Sequence, residues 1–413
     1  MLSSFAVPTP PEARPHPRPP IPAPRPPTED RVLAASVLSL VAFGLVMIHS
    51  SSTVLAERAF GSSVYFVSRQ AAFAMLGVAA MIGLSYVPYR LYRAAAYPIL
   101  VVALGALVAA VGGAGTAVRG ATRWIDLGPV MFEPSETAKV ALVVWLSYSV
   151  AKKGELLRNF SVGFVPHALL AGMIGLLCLL QPDFGAAAIV VMLTFAILFV
   201  AGTRLAYILG TLILALPVVY HLLVSSPYRY QRLVSFLDPW RYRFDEGYQV
   251  SESMLAFGSG GITGQGLGEG LQKLFFLPDA HNDFIASIVG EELGLLGVLA
   301  LIALFALVVA RGYRIAARCA DPFGAYLAFG LTTLIGLQVL INFGVAMGLL
   351  PTKGLTLPFV SYGGSSLMVH MASAGMLLAI SREATAAAPH GAAVRPAGAG
   401  ENRPAVAGEV MEC

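Results

Sequence analysis

The sequence predicts an all-α, polytopic membrane protein with about ten transmembrane helices and a large extracytoplasmic loop between the seventh and eighth. Three observations predict it. Of 413 residues, 57% are hydrophobic and only 12% charged, whereas a soluble domain carries about a quarter charged residues. Mean hydropathy is +0.73. Apolar runs of spanning length recur from Arg31 to Ile380. In a bilayer such runs must satisfy their own backbone hydrogen bonds, which makes them helices.

The elements follow in order. Residues 1–30 hold eleven of the 27 prolines and no apolar core, so they read as a disordered cytoplasmic tail, not a cleavable signal peptide. Spans are expected at 32–51, 69–87, 94–112, 135–151, 162–180, 184–201, 205–224, 284–310, 325–350 and 365–381. They make up one transmembrane domain over 31–382, with its large outer loop at 225–283. Residues 383–413, rich in Ala, Gly and Pro, read as a second disordered cytoplasmic tail. Three cysteines, Cys178, Cys319 and Cys413, have no metal-ligand or redox spacing. No metal site is read from the sequence.

An even number of spans puts both termini on one side. The short loops on that side carry Arg90 and Arg93, then Lys152, Lys153 and Arg158, then Arg204, then Arg311, Arg314 and Arg318. The positive-inside rule makes that side the cytoplasm and puts 225–283 outside. Asn159-Phe160-Ser161 matches a glycosylation acceptor but falls inside, and is discarded. The net charge of +4 reflects this topology and not a nucleic-acid partner, because the basic residues are scattered over loops.

Four outer segments are unusually rich in polar residues or in Gly and Pro: 113–136, the break at 181–185, 225–283 and 351–366. Irregular backbone near a membrane persists where it lines a cavity or is buried in protein. All four are expected on one face, so they can surround one outward cavity. Asp283 opens the eighth predicted helix, beside His281, Asn282 and Asp279 and ahead of Glu291 and Glu292. It reads either as a helix N-cap or as a reactive carboxylate; ionisable groups at membrane depth favour function. Lys139 needs a counter-charge, which Asp183 or Glu136 can supply as a structural ion pair. Arg69, Arg123, Lys273 and Lys353 give the cavity a cationic lining suited to phosphate and diphosphate. The glycines at 258–270 allow close backbone approach or anion-binding nests but form no dinucleotide fingerprint. The 358–366 stretch, which includes Ser361, leads into the last helix, which its serines can cap.

Five stretches in order resemble the SEDS family of peptidoglycan polymerases: RWIDLGPVMFEPSETAK (123–139), QPDFG (181–185), FLDPWRYRFDEGYQ (236–249), GLGEGLQKLFFLPDAHNDFIASIVGEELG (266–294) and INFGVAMGLLPTKGLTLPFVSYGGSSL (341–367). The Leu-Pro-Thr-Lys-Gly stretch is more similar to the division branch than to the elongation branch. The resemblance implies a glycosyltransferase that polymerises lipid II, an undecaprenyl-diphosphate-linked sugar-peptide, on the outer face of the inner membrane during septal wall synthesis. It implies as partners a class B penicillin-binding transpeptidase and other division membrane proteins. It assigns the essential aspartate to Asp283 and pairs Lys139 with Asp183. Departures stand at Asn282, Ala286, Asp279 and Glu133, where Thr, Phe, Glu and Gln are usual. His281, Ser361 and the four cations are the substrate-binding candidates. Diphosphate departure needs cationic stabilisation from these residues or from a divalent ion such as Mg or Mn, which the sequence leaves open. A lipid-precursor flippase and an elongation-type polymerase are the alternatives; the flippase is disfavoured because no internal repeat is evident.

Overall fold

The computed structural model describes residues 29–387 except 119, 120, 129, 226, 275, 279 and 353. Of the tails expected at 1–30 and 383–413, residues 1–28 and 388–413 lie outside the described residues, while 383–387 continue the last helix. The chain runs α1 (Arg31–Phe60), α2 (Tyr65–Tyr86), α3 (Tyr89–Ala94), α4 (Ala96–Ala109), β1 (Gly115–Val118), β2 (Ala121–Asp126), β3 (Met131–Phe132), α5 (Pro134–Lys153), α6 (Val165–Leu180) and α7 (Phe184–Val200). It continues with α8 (Leu205–Val224), α9 (Pro227–Leu237), α10 (Tyr248–Gly260), α11 (Ile285–Arg318), α12 (Pro322–Ala346) and α13 (Gly364–Ala387). Each of the ten expected spans corresponds to a helix. Among the described residues, seven helices are long and apolar enough to cross a membrane, counting the π-helical turns that extend α4 to Ala114 and start α6 at Phe160; Phe184–Val200 and Leu205–His221 are shorter apolar helices. The chain is a multi-pass membrane protein.

Local chemistry sets the boundaries. Asp30 caps α1, accepting from the Leu33 N–H at 3.0 Å. Gly61, at φ 67°, ends that helix in the left-handed conformation and donates to the Glu57 carbonyl. Asp183 caps α7, and Asp321 caps α12 with Pro322 in its first turn. Beyond the expected 284–310, α11 runs on to Arg318, with a break at Gly294 where φ is 63°.

Two features depart from the expected picture. The first outer segment is not wholly irregular: β1, β2 and β3 form an antiparallel sheet in that order. Nor is the 225–283 segment a plain loop. It holds α9 and α10, and α10 packs on α11 and buries Val250, Ser251, Glu252, Ser253 and Ala256. The glycines beyond α10 let backbones touch. A Cβ at Gly260 would overlap the Gly290 carbonyl, and one at Gly264, which is at φ 82°, would overlap the Glu292 carbonyl.

At the centre, α12 packs against α5, α7, α11 and α13, while α2 lies along α13. The core is continuous from Leu33 on α1 to Ile380 on α13. At one end of the bundle the Asp30 N–H donates to Ser381 Oγ at 3.0 Å, and Asp30 pairs with Arg311 at 2.7 Å. The start of α1 and the late turns of α11 and α13 therefore meet there.

Candidate active site

Asp283 does not open a helix. The first residue of α11 is Ile285, and its N-cap position is Phe284, whose side chain makes no capping bond. Residues 281–283 are instead held by their main chain, carbonyl by carbonyl. The Tyr362 N–H donates to the His281 carbonyl at 3.0 Å. Ser361 Oγ donates to the Asn282 carbonyl at 2.6 Å. Asn342 Nδ2, from α12, donates to the Asp283 carbonyl at 2.9 Å and to the Leu355 carbonyl at 2.7 Å. Gln70 on α2 secures the other side, donating to the Ser361 carbonyl and accepting from the Gly363 N–H, both at 3.2 Å. Ser361 also accepts from the Leu357 N–H at 2.8 Å. Its hydroxyl therefore shapes the 355–363 turn and grips Asn282, rather than capping α13.

The Asp283 carboxylate faces Gly354. A Cβ placed on Gly354 would lie 3.2 Å from Asp283 Oδ2 and 3.5 Å from Arg123 Nη1. Arg123 reaches this point from β2. Its Nε donates to the Gln181 carbonyl at 3.4 Å and its Nη2 to the Pro182 carbonyl. Leu355 packs on the same turn, because a Cβ on Gly185 would come within 2.9 Å of its side chain. The four segments expected around one cavity thus meet at one place: β2, the 181–185 turn, residues 281–283 and the loop before α13.

Of the two counter-charges offered for Lys139, the structure pairs it with Glu136 and not with Asp183, the partner the resemblance implies. Lys139 is fully buried, and its Nζ lies 2.7 Å from Glu136 Oε1, one turn back on α5. Asp183 is also buried but accepts from the Ala186 N–H at 3.1 Å as the cap of α7. The reason is geometric. Positions three apart share a helix face, while the start of α7 leaves N–H groups that a carboxylate satisfies. Gln338 on α12 extends the pair, donating to Glu136 Oε2 at 3.2 Å and bonding His370 on α13 through its own oxygen. His370 reaches Ser366 Oγ at 3.3 Å, and Ser366 reaches Thr356 Oγ1 at 2.9 Å. A polar chain therefore runs from the ion pair to the loop facing Asp283. Glu133, just ahead of α5, is pushed up to about 8, first by burial and then by the charges of Glu136 and Asp183.

Of the other expected cations, Lys273 is not free to meet a substrate. Its ammonium is buried against Glu292, with Nζ to Oε1 at 2.6 Å, and also donates to the Gly268 carbonyl and Ser50. Glu292 further accepts from Ser50 Oγ at 2.7 Å and from the Gly268 N–H at 3.1 Å. Glu291 accepts from the Leu271 N–H at 2.8 Å. These carboxylates pin the glycine-rich turn to α11, because a buried charge must be paired. Lys353 and Asp279 lie outside the described residues. Arg69 donates to the Tyr65 hydroxyl at 3.0 Å and lies over that ring. It adjoins an aromatic cluster in which Phe66 lies 4.9 Å from the His281 ring and 5.2 Å from the Tyr362 ring. Burial raises the Tyr362 hydroxyl, and Arg69 opposes the rise. His281 is buried, which aims it at this cluster rather than at open water. Gln70, Gln338, Asn342 and His370 are the site residues that the sequence reading passes over. Their signal is an uncharged polar side chain inside an otherwise apolar helix. Among the described residues, no group of three or more His, Cys, Asp or Glu is placed to hold a metal ion.

With this geometry in view, the comparisons with known proteins are informative. Residues 30–386 match the family model of FtsW, RodA and SpoVE cell cycle proteins. The chain belongs to this family. It is 47% identical over 353 residues to the "Probable peptidoglycan glycosyltransferase FtsW" of Geobacter metallireducens, covering 85% of this chain and 94% of that one. It is 42% identical over 361 residues to the protein of the same name from Hahella chejuensis, covering 86% and 91%. Among solved structures, it resembles a chain of a peptidoglycan synthase complex described as coordinating polymerization and crosslinking. That match has TM-score 0.73 and 30% identity, and covers 86% of this chain and 98% of the other. The rod shape determining protein RodA of Thermus thermophilus matches with TM-score 0.63 and 28% identity over 86% and 97%.

Proposed function

We propose that this chain is a peptidoglycan glycosyltransferase of the FtsW type, which polymerises lipid II into glycan strands, with Asp283 as its general base. The observation that carries the assignment of Asp283 is its carboxylate facing Gly354 alongside the Arg123 guanidinium. The activity itself follows the relatives named above, which align over most of the chain.

In this reading Asp283 takes the proton from the 4-hydroxyl of the acceptor sugar as that oxygen attacks the donor's anomeric carbon. The bond from that carbon to the undecaprenyl diphosphate oxygen breaks, and the diphosphate leaves with the electron pair. One base acting opposite the leaving group gives inversion, as in inverting glycosidases. Diphosphate is already a good leaving group, so it needs charge stabilisation more than a proton. Arg123 is the described cation beside the carboxylate, and its fork suits phosphate oxygens. Arg69 and Lys353 remain substrate-binding candidates. His281 and Ser361 act by shaping the site, and Glu136, paired with Lys139, ties α5 to α12 through Gln338.

The reading includes location and partners. The site opens on the outer face of the cytoplasmic membrane, with both termini inside; the joining of Asp30 to Ser381 supports a shared side. A class B penicillin-binding transpeptidase is the expected partner, supported by the resemblance to a synthase complex that couples polymerization to crosslinking. Action at the division septum follows the FtsW-type relatives.

The test is direct. Purified protein, with and without its transpeptidase, is given lipid II in detergent, and glycan polymer is measured. Asp283→Ala should lose on the order of a hundred- to ten-thousand-fold in rate, the usual contribution of a general base. Polymerisation near the parental rate by Asp283→Ala would sink the assignment. Absence of polymer from the parent in the presence of its transpeptidase, together with lipid II translocation, would favour a flippase.

A further inference from the structure

We infer that Asn342 is a positioning residue of the candidate active site, acting through Asp283; this rests on the reading of Asp283 as the base. Asn342 lies on α12, the central helix, and is 2% exposed. A neutral amide in an apolar helix is retained where its donors have partners. Both Nδ2 hydrogens are used, one on the Asp283 carbonyl at 2.9 Å and one on the Leu355 carbonyl at 2.7 Å. Both targets are carbonyl oxygens, so the amide nitrogen must face them.

The two bonds hold two segments that face each other. One fixes the peptide that carries the candidate base. The other fixes the residue after Gly354, the glycine that faces the Asp283 carboxylate and Arg123. Leu355 also packs against Gly185, next to the 181–182 carbonyls that hold Arg123. One amide therefore sets the distance between the carboxylate and the wall it faces. The 281–283 segment precedes α11 and lacks a helical ladder of its own, so side-chain bonds to its carbonyls set its position. Displacing a reacting group by about 1 Å costs roughly a hundredfold in rate. A group that only filled space here would affect stability and leave turnover unchanged in the folded fraction.

The experiment compares parent, Asn342→Ala, Asp283→Ala and the double variant, each purified with its transpeptidase, in lipid II polymerisation with kcat and KM resolved. Asn342→Ala should lower kcat by roughly thirty- to three-hundredfold and leave KM within about threefold, because Arg123 keeps its own bonds to the Gln181 and Pro182 carbonyls while the base is misplaced. In the Asp283→Ala background the same change should alter the residual rate less than about twofold, because a residue acting through a missing base has nothing left to position. Where Asn342→Ala fails to fold, Asn342→Ser, which keeps one donor, should fold and show an intermediate kcat. Parental kcat in a folded Asn342→Ala overturns the inference while leaving the base reading intact. So does a further tenfold loss in the double variant. Parental kcat in Asp283→Ala removes the base itself and with it any role that acts through it.

Discussion

The identity of the partner of Lys139 is open to a decisive test. Lys139 is fully buried, and its ammonium sits 2.7 Å from Glu136. Lys139→Met removes the positive charge and leaves the buried Glu136 with Gln338 as its remaining side-chain donor. Breaking one side of a buried pair costs about 3–5 kcal/mol, because the surviving charge is uncompensated. At about 2.1 cal/mol/K per residue over roughly 350 ordered residues, that corresponds to a melting point lower by about 4–7 °C. The assay is thermal unfolding in detergent, followed by tryptophan fluorescence. Adding Glu136→Gln to Lys139→Met should restore most of the loss, since replacing both members of a buried pair is often neutral. Adding Asp183→Asn instead should restore none, because Asn caps a helix about as well as Asp and Glu136 stays stranded. Rescue by Asp183→Asn with none by Glu136→Gln would refute the pairing.

Three further outcomes are expected. Glu133 holds its proton up to about 8 in the folded protein, while an unfolded Glu releases it near 4.3. The folded state therefore binds more protons between these values, and stability falls as pH rises through that window; Glu133→Gln should flatten the melting-point-versus-pH curve, and an unchanged slope would contradict this. Gly44 on α1 touches the turn that carries Ser361, since a Cβ there would lie 2.7 Å from Val360 Cα. Gly44→Ala should cost about 1–3 kcal/mol by overpacking, outweighing the helix propensity it gains, and should lower polymerisation; parental activity and melting would refute the close approach. Lys273→Met should destabilise by about 3–5 kcal/mol through the stranded Glu292, with rescue by Glu292→Gln; a folded, stable variant with a raised KM would instead return Lys273 to substrate binding.

The spans were legible because burial in lipid demands long apolar helices, a signal carried by every residue of each run. The polar junction ahead of α11 was legible too, from Asp283 beside His281 and Asn282. Its surroundings were not. Lys139 had two carboxylates in reach by sequence, and the three-residue spacing to Glu136 only decides once Asp183 is seen to be needed by the first N–H groups of α7. Lys273 read as a phosphate ligand because it is a cation of the outer loop; the partner it takes, Glu292, lies 19 positions further along the chain. Within the outer loop, α9 and α10 were hidden by composition. The Gly258 to Gly270 run reads as allowing close backbone approach, and its first members make one, ending a helix whose backbone touches α11 at Gly290.

The N-cap position of α11 is Phe284, one residue beyond Asp283. The main chain of Asp283 is held by elements other than the helix that follows it. Three carbonyls in a row, at His281, Asn282 and Asp283, are each bonded from a different residue, Tyr362, Ser361 and Asn342. Two of those come from the loop before α13 and one from α12. A carboxylate held this way can be moved by anything that shifts α12 or that loop, including the buried chain from Lys139 through Gln338 and His370 to Ser366. Substitutions along that chain should therefore change polymerisation without touching substrate, and turnover should fall in step with how far each one loosens residues 355–363.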